Sequence, residues 1–238
     1  MTHGIIDCHS HILPGLDDGS ACVDESIAML QREAEQGIEY VLATPHFYAK
    51  WDDPECFLEK RAEAQALLGR TMEQYPGLPQ VIPGAEVFYF RGISESEWLP
   101  KLTIAGGKAI LVEMPSAPWT DSMYLELARI SDERQIVPII AHIDRYIRPF
   151  RTYHIPERLA ELPVLVQANS RFFLNSTTSA MAMRLLKRDQ IHLLGSDCHN
   201  LTDRQPNLRA AIERIQAKLG HDALAAIGDY QKKILELK

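Results

Sequence analysis

Seven short apolar runs recur along this chain between longer, charge-dotted segments, and no other feature limits the fold as much. They are IIDCH (5–9), YVLATPH (40–46), VIPGAEV (81–87), AILVEMP (109–115), VPIIAHI (137–143), PVLVQAN (163–169) and IHLLGSD (191–197). Several are continuous in Val, Ile and Leu rather than alternating, which suits strands covered on both faces, as in a parallel sheet wrapped by helices. The segments between them carry helical signatures. Val23, Ile27, Leu30 and Ala34 form a stripe before Gly37; Leu208, Ala211, Ile212, Ile215 and Leu219 form another, with Pro206 near the start and Gly220 as the stop. Alternating strand and helix predicts an α/β chain, and seven such units predict one barrel domain spanning 1–238. A hydrophobic content of 46% is ample for its core. The loops at 116–118 and 145–154 are rich in Pro or aromatic residues but too short to divide the chain.

A formal net charge of −7 argues against a broad nucleic-acid footprint, which needs a basic face to neutralise phosphates. The start, MTHGIIDCHSH, lacks a basic region followed by an apolar stretch, and no run of apolar residues is long enough to span a bilayer. The expectation is a cytoplasmic protein without membrane insertion. Cys8, Cys22, Cys56 and Cys198 show no close pairing and read as free thiols.

The chemistry lies in where the metal-capable residues fall. His9, His11, His46, Glu86, Glu113, His142, Asp197 and His199 all stand at or just beyond the carboxyl end of a predicted strand. In a parallel barrel those ends share one face, so residues far apart in sequence converge. Imidazole and carboxylate together suit zinc, manganese or iron, and a set without cysteine leans toward the harder ions. Alone, HSH fits strand-end packing as well as it fits a ligand pair; the shared placement of the others decides for metal. His3, His154, His192 and His221 fall outside the pattern and read as surface or packing residues.

IIDCHSHILPGLDDGS, ATPHF, PGAEVFY, LVEMP, IIAHIDRY and LLGSDCHN, in this order from residue 5 to about residue 205, resemble the polymerase-and-histidinol-phosphatase superfamily. Within it they most resemble the bacterial capsule-associated CpsB/CapC-type tyrosine phosphatases. The resemblance implies a distorted (β/α)7 TIM-like barrel holding three divalent metal ions, manganese first, with iron or zinc as alternatives. It carries ligand roles onto His9, His11, Asp18, His46, Glu86, Glu113, His142, Asp197 and His199. One ion would take His9, His11, Glu86 and Asp197, a second Glu86, Glu113 and His142, and a third Asp18, His46 and His199. Asp17 is an alternative to Asp18. Three divalent ions outweigh the four carboxylates, so an acidic chain would still present a positive site to phosphate.

Arg145 and Arg204 match family positions that bind phosphate, and a guanidinium fork suits phosphate oxygens. The resemblance implies hydrolysis of phosphotyrosine, with the tyrosine-rich tail of a bacterial tyrosine kinase as partner. A small-molecule phosphatase of the histidinol-phosphate kind is the alternative enzyme, a non-catalytic phosphotyrosine-binding module the alternative outside enzymes; a nuclease is disfavoured by the charge. Phe47, Tyr48, Phe88, Tyr89 and Trp119, just past ligands, are candidates to line the mouth, although packing is the more frequent role for such residues. Arg148 and Arg151 add to a basic cluster but read more readily as solvated. Cys198 and Arg204 satisfy the Cys-x5-Arg spacing of cysteine-dependent phosphatases, yet no glycine lies between them to let a loop wrap around phosphate. The spacing therefore reads as coincidence. QANSRFF departs from the glycine-containing segment expected there, leaving the partners of Asn169 and Arg171 open.

Overall fold

A computed structural model describes residues 5–147 and 154–236. Among these residues nine parallel strands follow one another: β1 (Ile5–Ser10), β2 (Ile38–Ala43), β3 (His46–Phe47), β4 (Gln80–Pro83), β5 (Glu86–Phe88), β6 (Ala109–Glu113), β7 (Val137–Ile140), β8 (Leu165–Asn169) and β9 (Leu193–Gly195). They reduce to the seven expected staves, because two staves are each broken in two. Thr44 and Pro45 separate β2 from β3, where proline withholds a ladder donor; Gly84 and Ala85 separate β4 from β5. The breaks lie side by side, and Gly84 N donates to Ala43 O (2.8 Å) and Glu86 N to Pro45 O (2.9 Å), so pairing continues across them.

The ladder orders are β1–β2–β4 and β3–β5–β6–β7–β8–β9. The ring closes where the last stave meets the first: Asp197 N donates to His9 O (2.8 Å) and His11 N to Cys198 O (2.9 Å). The fold is thus a distorted parallel barrel. Ile6, Cys8, Leu42, Leu111, Ile139, Leu165 and Leu193 fill its interior. Val41, Ile110, Val112, Ile140, Val166 and Leu194 face outward and are covered by helices. Burial on both faces is the physical reason the runs are continuous rather than alternating.

The covering helices are α1 (Val23–Glu35), α2 (Pro54–Met72), α3 (Asp121–Arg134), α4 (Ile155–Leu159), α5 (Ser170–Leu174), α6 (Ser179–Lys187) and α7 (Leu208–Leu219). The stripes expected before Gly37 and Gly220 are α1 and α7. The last helix, α8 (His221–Glu236), closes the barrel floor: Ile234 joins the interior core and Gln231 Nε2 donates to Ile6 O at 2.8 Å. Regular alternation fails once. Between β5 and β6 the chain makes only single 3-10 turns at Ile93–Glu95, Leu99–Lys101 and Ile104–Gly106. Gly92 and Gly106 with positive φ, and Pro100, punctuate this stretch too often for a longer helix.

Candidate metal centre

The carboxyl ends of the staves deliver the polar groups to one face. β1 carries His9 and ends just before His11; His46 opens β3, Glu86 opens β5 and Glu113 ends β6. His142 follows β7, and Asp197 and His199 follow β9. His142 and Asp197 sit in the left-handed backbone region, at φ of 32° and 54°. Non-glycine residues persist there only when their surroundings compel it, a kind of strain that concentrates at functional sites. Glycine is required at Gly195, where an added Cβ would lie 2.6 Å from His9 Cβ and 2.8 Å from Gln167 Nε2. It is equally required at Gly19, where a Cβ would collide with the backbone of His11; the GLDDGS loop therefore folds tightly against that histidine.

Glu86 is the hub. Its Oε2 lies 3.3 Å from both His9 Nε2 and His11 Nε2 and 2.9 Å from His46 Nδ1, while Oε1 lies 2.6 Å from His142 Nε2. Asp197 Oδ1 approaches His9 and His11 at 3.6 and 3.5 Å. His142 Nε2 is 3.5 Å from Glu113 Oε1, and Asp18 Oδ1 is 3.4 Å from both His46 Nε2 and His199 Nε2. The three groupings implied by the resemblance are thus three sets of neighbours. His11 also falls within reach of Asp18, His46 and His199, and His46 within reach of Glu86 and Glu113, so the sets form one continuous cluster.

A second layer orients these groups. Asp17 Oδ2 is 2.7 Å from His11 Nδ1 and accepts from His46 N at 3.0 Å, and Asp17 Oδ1 accepts from Gly19 N at 2.9 Å. Asp17 therefore grips the far side of His11, and its neighbour Asp18 faces His46 and His199. Of the two aspartates, Asp18 is the one whose carboxylate approaches the rings of both His46 and His199. Gln167 Oε1 accepts from His142 N (2.6 Å) and lies 3.3 Å from His9 Nδ1. Asn169 Nδ2 donates to Asp197 Oδ2 at 2.9 Å, and its own Oδ1 accepts from Gln167 Nε2 at 3.0 Å. QAN on β8 thus supports three of the candidate ligands; the alternation of Gln167 and Asn169 toward the interior at a strand end was the signal. Arg171 is exposed on α5. On β1, Asp7 Oδ1 accepts from His9 N (3.1 Å) and Ser196 N (2.9 Å), fastening the two staves that meet at the seam.

Charge and burial make the cluster receptive to cations. Burial alone would raise Glu86, but the His9 charge and the close imidazoles of His11, His142 and His46 hold it well below the usual carboxylate range. Burial would lower His11, yet Asp17 and Glu86 push it up to about 10. His199 is carried the other way, down to about 3, by burial and then by the charges of His11 and Arg204. His46 Nδ1, Glu86 Oε2 and His199 Nε2 are buried without a hydrogen-bond partner, although His46 Nδ1 and Glu86 Oε2 are close. Buried donors and acceptors are otherwise almost always paired. Lone pairs left free and aimed at common points are what divalent ions satisfy, and the donor set of imidazole and carboxylate fits the harder transition ions.

Both arginines reach this face. Arg145 donates from Nη1 to Glu113 Oε1 (2.8 Å) and from Nη2 to Asp197 Oδ2 (2.9 Å); Arg204 Nη2 donates to Asp197 Oδ1 at 2.6 Å. Arg148 and Arg151 lie outside the described residues, as does His3. Among the aromatics the expectation divides. Phe47, Tyr89 and Trp119 are buried packing residues, whereas Tyr48 and Phe88 are half-buried beside the cluster, with ring centroids 5.6 Å apart. His154 and His221 are exposed; His192 packs on Tyr230 and its Nδ1 accepts from Val166 N at 2.9 Å. Cys198 is fully buried, with Sγ 3.9 Å from Glu33 Oε1; burial and then the Glu33 charge raise its thiol well above the ordinary value. Such a thiol is no nucleophile.

A parallel barrel that gathers imidazoles, carboxylates and two guanidiniums at its carboxyl face defines a class, the barrel hydrolases with a metal-capable centre. The family of capsular polysaccharide synthesis proteins CpsB/CapC matches the chain over residues 5–235, and the chain belongs to it. It is 28% identical over 228 residues to the tyrosine-protein phosphatase YwqE of Bacillus subtilis, covering 92% of this chain and 86% of that protein. It is also 28% identical over 226 residues to the tyrosine-protein phosphatase CpsB of Streptococcus pneumoniae, covering 91% of each. Among solved structures, a chain from the crystal structures of those two proteins, described as unique metal-dependent tyrosine phosphatases, superposes with a TM-score of 0.82. That match has 22% identity and covers 98% of this chain and 94% of the other. The histidinol phosphate phosphatase of Lactococcus lactis shares the fold at a TM-score of 0.57 and 15% identity, over 92% and 94% of the two chains.

Proposed function

We propose that this chain is a metal-dependent protein tyrosine phosphatase working as a single barrel domain in the cytoplasm. The observation that carries the reading is the meeting of four imidazoles on one buried carboxylate, Glu86, with Arg145 and Arg204 at the same face. His9, His11, Asp18, His46, Glu86, Glu113, His142, Asp197 and His199 would hold three divalent ions, manganese first. Bound there, such ions supply Lewis acidity toward a phosphoryl oxygen and lower the pKa of a water near it. Arg145 and Arg204 grip the remaining phosphate oxygens and set the ester in line. A phenolate, with a conjugate-acid pKa of about 10, leaves with less proton assistance than an alkoxide requires. The kinship with capsule-synthesis proteins supports a tyrosine-phosphorylated kinase tail as substrate. No helix among the described residues is long and apolar enough to cross a membrane.

Assays on a phosphotyrosine peptide, histidinol phosphate and single-stranded DNA, with and without chelator, test the reading. The peptide is expected to be hydrolysed fastest, to resist hydrolysis after metal removal and to be hydrolysed again when manganese is restored. Peptide hydrolysis that survives complete removal, verified by elemental analysis, overturns the metal mechanism. Faster turnover of histidinol phosphate overturns the substrate assignment.

Cys198→Ser is expected to keep peptide hydrolysis within about twofold of the parent, since a buried thiol facing Glu33 takes no part in attack. Complete loss of hydrolysis with metals retained would instead revive the cysteine mechanism.

A further inference from the structure

An aromatic path leads from the centre to solvent. The ring of His46 lies 5.3 Å from that of Tyr48, and Tyr48 lies 5.6 Å from Phe88 and 5.8 Å from Trp51. Trp51 ends the path at 72% exposure, the most exposed of the large hydrophobic side chains among the described residues. The turn that presents it is built: Trp51 N and Asp52 N donate to Tyr48 O at 2.8 and 2.9 Å, and Tyr48 N donates to Asp52 Oδ2 at 2.6 Å. Lys50 Nζ stands 5.0 Å over the Trp51 ring, adding a cation to its rim.

A solvated indole on a fixed turn is a favourable surface for another flat apolar group. In an aryl phosphate the ring begins one ester oxygen from phosphorus, so phosphate at the centre puts that ring at the start of this path. We infer that Tyr48, Phe88 and Trp51 form a wall that selects aryl over alkyl phosphates, with Trp51 as its outer specificity-determining residue. The inference rests on the proposed phosphatase activity and goes beyond it, assigning the leaving group a surface of its own.

The test compares kcat/KM for a phosphotyrosine peptide with that for the same peptide carrying phosphoserine, in the metal-loaded parent, Trp51→Ala and Trp51→Phe. Loss of one aromatic pairing lowers binding about three- to tenfold. Trp51→Ala is therefore expected to lower the aryl-to-alkyl ratio by about that factor, chiefly through KM for the phosphotyrosine peptide. Trp51→Phe is expected to recover most of it. An unchanged ratio in an active Trp51→Ala enzyme, or equal loss on both peptides, overturns the wall while leaving the phosphatase reading intact. A metal-loaded parent inert toward phosphotyrosine overturns the phosphatase reading and the wall with it.

Discussion

Glu86→Gln is expected to lower kcat/KM on a phosphotyrosine peptide by on the order of 1,000-fold and to reduce the bound metal. The substitution keeps the size of the side chain and removes one charge, at the point where His9, His11, His46 and His142 all come within 3.3 Å of its two oxygens. A neutral amide also presents an N–H₂ donor to an imidazole that needs an acceptor. Because Glu86 is fully buried, bulk solvent does not make up the loss. Supporting groups around metals commonly change affinity or activity by about 10- to 100-fold, and a residue that falls in two of the proposed ligand groupings is expected to exceed that. Elemental analysis beside steady-state kinetics reads both effects. Full metal content with parental turnover would remove Glu86 from the mechanism.

The second large effect is expected at the arginines. Arg145→Ala and Arg204→Ala should each lower kcat/KM by roughly 100-fold with metal content unchanged, because each would remove one proposed donor to the phosphoryl oxygens. Lysine at either position should restore little, since a point charge does not reproduce the guanidinium fork. Both side chains are about one-third exposed and pair with carboxylates of the cluster, Glu113 and Asp197 for Arg145 and Asp197 for Arg204. Inhibition by inorganic phosphate separates the roles. A Ki that rises in step with the lost kcat/KM assigns them to phosphate binding, whereas release of metal on substitution would make them structural.

The residues at the strand ends were legible because two independent patterns coincide there: continuous apolar runs mark buried parallel strands, and imidazoles or carboxylates stand where those runs stop. The outer layer was harder to read. Asp17 and Asp18 are adjacent and chemically identical, and only the tight fold around Gly19 sends one to the back of His11 and the other toward His46. Gln167 and Asn169 read as departures from a pattern, although their alternation on β8 aims both at the cluster. The aromatics divided for a similar reason. Phe47 and Tyr48 are neighbours, yet strand geometry turns successive side chains to opposite faces and buries only the first. Trp51 carried no motif, since its significance depends on which rings stand beside it. The stretch from β5 to β6 defied the expected alternation because its glycines and prolines act locally, whereas the barrel requires only that the chain return to the sheet.

The seam between β1 and β9 has a consequence for how the site comes into being. His9 and His11 belong to the first stave, and Asp197 and His199 follow the last, so the proposed ligands span nearly the whole chain and meet only once the ring is shut. A chain emerging from synthesis carries the early histidines long before their carboxylate partner exists. Metal capture at the proposed ligands would then act as a clasp fastened at the end of folding rather than a nucleus that starts it, and ions bound there would hold the ring closed by mass action. Closing so long a loop carries an entropic cost, and a barrel that has not joined its two ends would offer no complete seat for metal.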